Sequence, residues 1–169
     1  TGMTLEAWVY PTALGSGWRT VLMKEASSEL AYTLYANEDV LVPASYVRIG
    51  SNSRRVGGGA ALLLNRWTHL AGTYDGSTLR LYVDGNPVGS QSLTGSIGAS
   101  TLPLRIGGNS VWGEYFSGLI DEVRIYNRAL TAAEVVSDMN QGTSPAVPSL
   151  SITSPANNAS INGSTVNVS

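Results

Sequence analysis

The sequence predicts an all-β, antiparallel two-sheet sandwich closed by one short C-terminal helix. Three observations carry that prediction. Short runs of alternating apolar and polar residues recur along the chain, turn dipeptides separate them, and a lone helix-start signature follows the last run. The clearest alternation is Leu79-Arg-Leu-Tyr-Val83, flanked by Asp75-Gly76 and Asp84-Gly85. Leu79, Leu81 and Val83 fall on one face and Arg80 and Tyr82 on the other.

The elements follow in order. Met3-Thr-Leu-Glu-Ala-Trp-Val-Tyr-Pro11 reads as the first strand. Three more are expected near 20–24, 31–36 and 45–50, and Gly57-Gly-Gly59 marks a flexible turn. Trp67–Tyr74 should pair with Leu79–Val83 as a hairpin across Asp75-Gly76. A strand at Leu102–Ile106 leads into Gly107–Phe116, where the glycines permit tight turns that bring polar and aromatic side chains to the rim. Ser117–Tyr126 is the last strand. Asp121 shares the parity of Val123 and Ile125 and is therefore expected to point inward, where a carboxylate needs a cation, an arginine or backbone N–H groups. Thr131 with Glu134 forms a capping box for a helix running to about Gln141, with Gly142 just past its end.

The Met3–Pro11 segment, Arg66-Trp-Thr-His-Leu-Ala-Gly-Thr-Tyr-Asp-Gly through Asp84-Gly85, and Ser117-Gly-Leu-Ile-Asp-Glu-Val-Arg-Ile-Tyr-Asn-Arg-Ala-Leu130 stand in an order that resembles the LamG-like jellyroll family, within the concanavalin A-like lectin/glucanase sandwiches. The resemblance covers residues 1–142. It implies a jellyroll of two curved antiparallel sheets, often one calcium ion, and frequent roles in binding glycans or proteins within large secreted bacterial proteins. Asp121, with the backbone carbonyl of Gly118, is the metal site it implies for Ca2+. Family members usually open with an Asp-rich strand ahead of the Met3–Pro11 one, whereas this chain starts at Thr1-Gly2. A first strand, and metal ligands on it, are expected to be absent.

Composition sets further bounds. The 169 residues accommodate one sandwich plus a short appendage. The charged fraction of 13% is well below the roughly 25% usual for soluble domains, and Gly, Ser, Thr and Asn replace the charge, as suits an extracellular surface. A net charge of −2 without basic clusters argues against nucleic acid or an anionic membrane as partner. No apolar run reaches the roughly 18 residues needed to span a bilayer, so membrane insertion is not expected, and no signal peptide is seen. Cysteine is absent, which removes thiolate chemistry and disulfides. Residues 143–149 read as a Pro-containing linker, and 150–169 resemble the opening of a bacterial Ig-like domain, too short to bury a core. Its Asn158, Asn162 and Asn167 triplets read as coincidence in an Asn/Ser-rich segment.

The chemistry-bearing residues are few. His69, the only histidine, is expected to be packed in a strand rather than to serve a triad or a zinc site. No converging carboxylate pair of the glycosidase kind is visible, so the chain reads as non-enzymatic. Sugar binding needs aromatic faces flanked by polar groups, and Trp18, Arg19, Asn109, Trp112, Glu114 and Tyr115 are the candidates, all in expected loops. Trp8 and Trp67, within strand motifs, are expected in the core. The reading is a carbohydrate-binding module of a secreted or surface bacterial protein, partnered by a glycan or cell-surface polysaccharide and by neighbouring domains or subunits. The alternative is a structural or adhesive protein–protein module, assembling through strand addition.

Overall fold

The computed structural model describes residues 2–141. Ten strands and one helix succeed one another: β1 (Met3–Ala13), β2 (Arg19–Ala26), β3 (Glu29–Asn37), β4 (Ala44–Ile49), β5 (Asn52–Gly57), β6 (Thr68–Tyr74), β7 (Thr78–Val83), β8 (Asn86–Ser92), β9 (Leu104–Ile106), β10 (Ser117–Tyr126) and α1 (Ala132–Gln141). They form two five-stranded antiparallel sheets, the first in the order β10-β1-β6-β7-β8 and the second β5-β4-β3-β2-β9. This is the antiparallel sandwich the alternation predicts, in the jellyroll form the resemblance implies. The Ig-like segment and Gly142 lie outside the described residues.

Parity builds the core. Leu5, Ala7 and Val9 of β1, Leu70 of β6, and Leu79 and Leu81 of β7 face the second sheet, which returns Leu22, Leu34 and Val47, all fully buried. The sheets approach closely at Gly72, where an added Cβ would sit 2.5 Å from Ser45 Oγ, so only glycine fits between Leu70 and Tyr74. The β7–β8 turn has the two positive φ angles of a type I′ hairpin, 48° at Asp84 and 74° at Gly85. In the β6–β7 turn Asp75 Oδ1 accepts the N–H groups of Ser77 and Thr78 at 2.8 and 2.7 Å, and Oδ2 takes Arg80 Nη1 at 2.7 Å. These contacts fix the register of the hairpin.

Two strands escape the sequence pattern. β5 and β8 are sheet edges composed mostly of exposed polar residues, with no apolar face to generate a period-2 signal. The capping box forms as expected: Glu134 Oε2 accepts Thr131 N–H at 2.8 Å while Thr131 Oγ1 accepts Glu134 N–H at 3.3 Å. Val135 and Leu130 then press α1 against Ala71 and Tyr82 on the outer face of the first sheet.

The inward placement of Asp121 is overturned. Glu6 pairs with Arg124 but Trp8 pairs with Asp121, so β10 carries one extra residue there, and Glu122 absorbs it with φ 49°. Ile120 and Val123 both reach the core across this bulge, and Asp121 turns outward, exposed, accepting Glu122 N–H at 2.8 Å. Trp67 is also misplaced by a core reading. It shares the outward parity of His69, is 39% exposed, and stacks at 5.6 Å on Tyr10.

Candidate functional site

The outer face of the second sheet carries a row of aromatic side chains that no helix covers among the described residues. Tyr35 of β3 and Tyr46 of β4 point outward beside each other, and Trp18, just before β2, packs edge-on against Tyr35 and at a tilt against Tyr46. Ring centroids lie 4.9 Å apart for Trp18–Tyr35, 5.9 Å for Trp18–Tyr46 and 5.8 Å for Tyr35–Tyr46. Met23 and Leu30 complete the apolar floor. Above it opens a cavity of about 340 Å³ lined by Trp18, Glu29, Leu30, Tyr35, Tyr46, Ser53, Trp112 and Glu114.

The wall is a tight loop between β9 and β10. Asn109 N–H donates to Glu114 O at 3.0 Å and Phe116 N–H to Gly107 O at 3.0 Å, which close the loop into a hairpin. Asn109 is buried, and its Oδ1 accepts Trp112 N–H at 2.8 Å in an Asx turn. Trp112, 44% exposed, is thereby held on the cavity rim.

Glu114 is fixed more rigidly. Its Oε2 accepts Tyr35 OH at 2.9 Å, Asn109 Nδ2 at 2.8 Å and Thr20 Oγ1 at 3.4 Å. All three donors act on one oxygen, and Oε1 has no hydrogen-bond donor among the described residues. Glu29 repeats the arrangement with Ser53 Oγ on its Oε2 at 2.7 Å. Burial, and then the charge of Glu114, push the Tyr35 phenol well above its ordinary value, so it stays a donor. Tyr46 is raised likewise by burial and by its hydrogen bond to Glu38, which Arg55 clasps in an ion pair with Nε at 2.7 and 2.9 Å. Trp18 Nε1 donates to Asp39 Oδ1 at 2.6 Å.

Of the residues expected from sequence, Trp18, Trp112 and Glu114 converge here. Asn109 supports the site from beneath. Arg19 does not line the cavity; its Nη1 donates to Trp18 O at 3.4 Å. Tyr115, 62% exposed, belongs to a separate groove along Leu104–Ser110. Tyr35, Tyr46, Glu29 and Ser53 were not anticipated. The parity of Ala31, Thr33 and Tyr35 against Tyr32 and Leu34 held the signal for Tyr35, but nothing in sequence says which face of a sheet will stay open.

Asp121, the calcium ligand expected with the Gly118 carbonyl, is exposed and accepts Glu122 N–H at 2.8 Å, and among the described residues no three His, Cys, Asp or Glu side chains are grouped to share an ion.

The family model described as the concanavalin A-like lectin/glucanases superfamily matches residues 1–136. The chain belongs to that superfamily. Zebrafish (Danio rerio) adhesion G-protein coupled receptor V1 is 29% identical over 147 residues, a match covering 82% of this chain and 2% of the receptor. Among solved structures, a candidate carbohydrate-binding protein from Bacteroides ovatus aligns with a TM-score of 0.63 and 26% identity, over 80% of this chain and 40% of that one. Domain 4 of a GH43 extracellular arabinanase from Geobacillus stearothermophilus, solved with arabinotriose, aligns with a TM-score of 0.56 and 23% identity, over 81% of this chain and 66% of that one. The chain thus spans a small part of the receptor and less than half of the Bacteroides protein. Among the described residues no helix is long and apolar enough to cross a membrane.

Proposed function

We propose that this superfamily member is a non-catalytic glycan-binding module of an extracellular or cell-surface protein, and that the sugar sits in the cavity on the outer face of the second sheet. The observation that carries the reading is the convergence of four aromatic rings with two carboxylates, each with one oxygen that takes no donor among the described residues, in a single open cavity. Rings supply flat apolar faces for the C–H surfaces of a pyranose, and fixed acceptors choose among its hydroxyls. Three donors on one oxygen make Glu114 an acceptor, the opposite of what a general acid needs. The candidate carbohydrate-binding neighbour at 26% identity supports the same reading. A glycan array probed with wild-type protein and with Trp112→Ala tests it, alongside a reducing-end assay on each hit. Signals lost in the variant and no new reducing ends are expected; an array without hits, or hits indifferent to Trp112, would overturn it.

One observation favours a second, adhesive reading. Ile106 shares the inward face of its partner Leu22 and Ile125 that of Leu5, yet on these two sheet edges they are 56% and 40% exposed. Uncovered inward-facing side chains on unpaired edges are what an added strand would cover. A concentration-dependent mass in light scattering, abolished by Ile106→Lys, would support that reading.

A further inference from the structure

From the charge pattern of the cavity we infer that the sugar it prefers carries a protonated amine, so that the ligand class is an amino glycan rather than a neutral or uronic one. This rests on the glycan-binding reading above. Glu29 and Glu114 both line the cavity, and no lysine, arginine or histidine does. Around it, Arg55 is paired with Glu38 and Arg105 with Glu25 at 2.7 Å, while Arg48, opposite Ser53, and Arg19, bonded to Trp18 O, do not line the cavity. The cavity wall itself therefore holds two carboxylates and no cationic side chain.

Each presents an Oε1 that takes no donor among the described residues, while Oε2 is tied down by Tyr35, Asn109 and Thr20 in one case and by Ser53 in the other. Their direction is set before a ligand arrives. An ammonium group has three donors and no acceptor, and it matches two such oxygens better than a hydroxyl does, since it can donate to both and adds the attraction between opposite charges. The rings act in the same sense, because the faces of Trp and Tyr attract a cation. A uronate would place its carboxylate against these two and against the negative faces of the rings, which opposes its binding.

Titration calorimetry on the full chain tests this with three hexamers of the same β-1,4 backbone: glucosamine hexamer, its fully N-acetylated form and cellohexaose. At about pH 5.5 the amines carry protons while ordinary carboxylates are ionised. The glucosamine hexamer should bind roughly tenfold more tightly than cellohexaose, a preference that shrinks as salt is added. Glu114→Gln can still turn its amide oxygen to the three donors, but it then offers N–H to the cavity, so affinity for the glucosamine hexamer should fall more than affinity for cellohexaose and the preference should drop to near unity. Glu29→Gln provides the same test should Glu114→Gln fail to fold. Equal affinity for the glucosamine hexamer and cellohexaose, or a preference unchanged in both variants, would overturn the inference and leave glycan binding standing. Absence of binding to all three hexamers would contradict both.

Discussion

The two outer faces of the sandwich hold similar residue types and treat them in opposite ways. On the second sheet, Glu114 and Tyr35 are tied into a hydrogen-bonded network whose upper side is open. On the first sheet, Glu6 and His69 are shut under α1, and among the described residues neither oxygen of Glu6 nor either ring nitrogen of His69 has a hydrogen-bond partner. Burial, and then the charge of Asp138, against a smaller opposing effect of Arg124, raise Glu6 to about 7. Burial, and then Arg124, depress His69 to about 4. One face spends its polar groups on holding a shape for something outside the chain; the other neutralises them to seat its own helix.

The largest expected effect is on the covered face. Leu130→Ala removes a side chain from the buried cluster that Val135 of α1 shares with Ala71 and Tyr82 and should cost about 2–5 kcal/mol in a urea melt, with glycan retention of the folded fraction unchanged. Loss of retention at full folding would show that the two faces are coupled.

The second test uses pH. Glu6 holds its proton more tightly folded than unfolded, so its contribution is complete below about 4.5 and is lost as pH rises towards about 7. His69 favours its neutral form, and its contribution is complete above about 6.5 and lost as pH falls towards about 4. Between about pH 4.5 and 6.5 the two slopes oppose each other, and wild-type stability should be nearly flat from this source. Glu6→Gln should uncover stability rising with pH, and His69→Gln stability falling with pH, each by about 2 kcal/mol across the window. Parallel profiles in both variants would remove the paired account.

Smaller effects belong to the open face. Tyr35→Phe deletes one of the donors on Glu114 and should cost about 1 kcal/mol. Trp112→Ala should change stability by no more than about 0.5 kcal/mol yet lower glycan retention, because the ring stands at the cavity rim. Smallest of all, Asp121→Ala should fall within about 0.5 kcal/mol of wild type, since the bulge at Glu122 leaves that carboxylate in solvent. A loss above about 2 kcal/mol would return Asp121 to an organising role.

What sequence makes legible follows from the same contrast. Central strands advertise themselves because one of their faces is apolar, and the Leu79–Val83 hairpin and the Thr131–Glu134 box carry their own local chemistry. β5 and β8 do not, being polar edges. A bulge is invisible to parity counting, and the single extra residue at Glu122 reversed the reading of Asp121 while leaving Val123 correct. Trp18, Trp112 and Glu114 were legible as loop residues, but Tyr35 and Tyr46 share their strands with core residues. Their role is decided by α1 covering one sheet and not the other, which is a matter of long-range packing. Trp67 misleads for the same reason: an aromatic in a strand motif can face either way.

The four tryptophans divide between the two faces, and that gives the most direct test. Trp18 and Trp112 line the cavity on the second sheet, while Trp8, packed 5.4 Å from His69, and Trp67 lie on the first. The four indole N–H resonances of 15N-labelled protein, followed through a titration with the oligosaccharide giving the strongest array signal, report both faces at once. Saturable shifts of Trp18 and Trp112, with Trp8 and Trp67 stationary, are the predicted result. Shifts confined to Trp8 or Trp67, or none in any of the four while the sugar is bound, would contradict the assignment of the open face as the binding site.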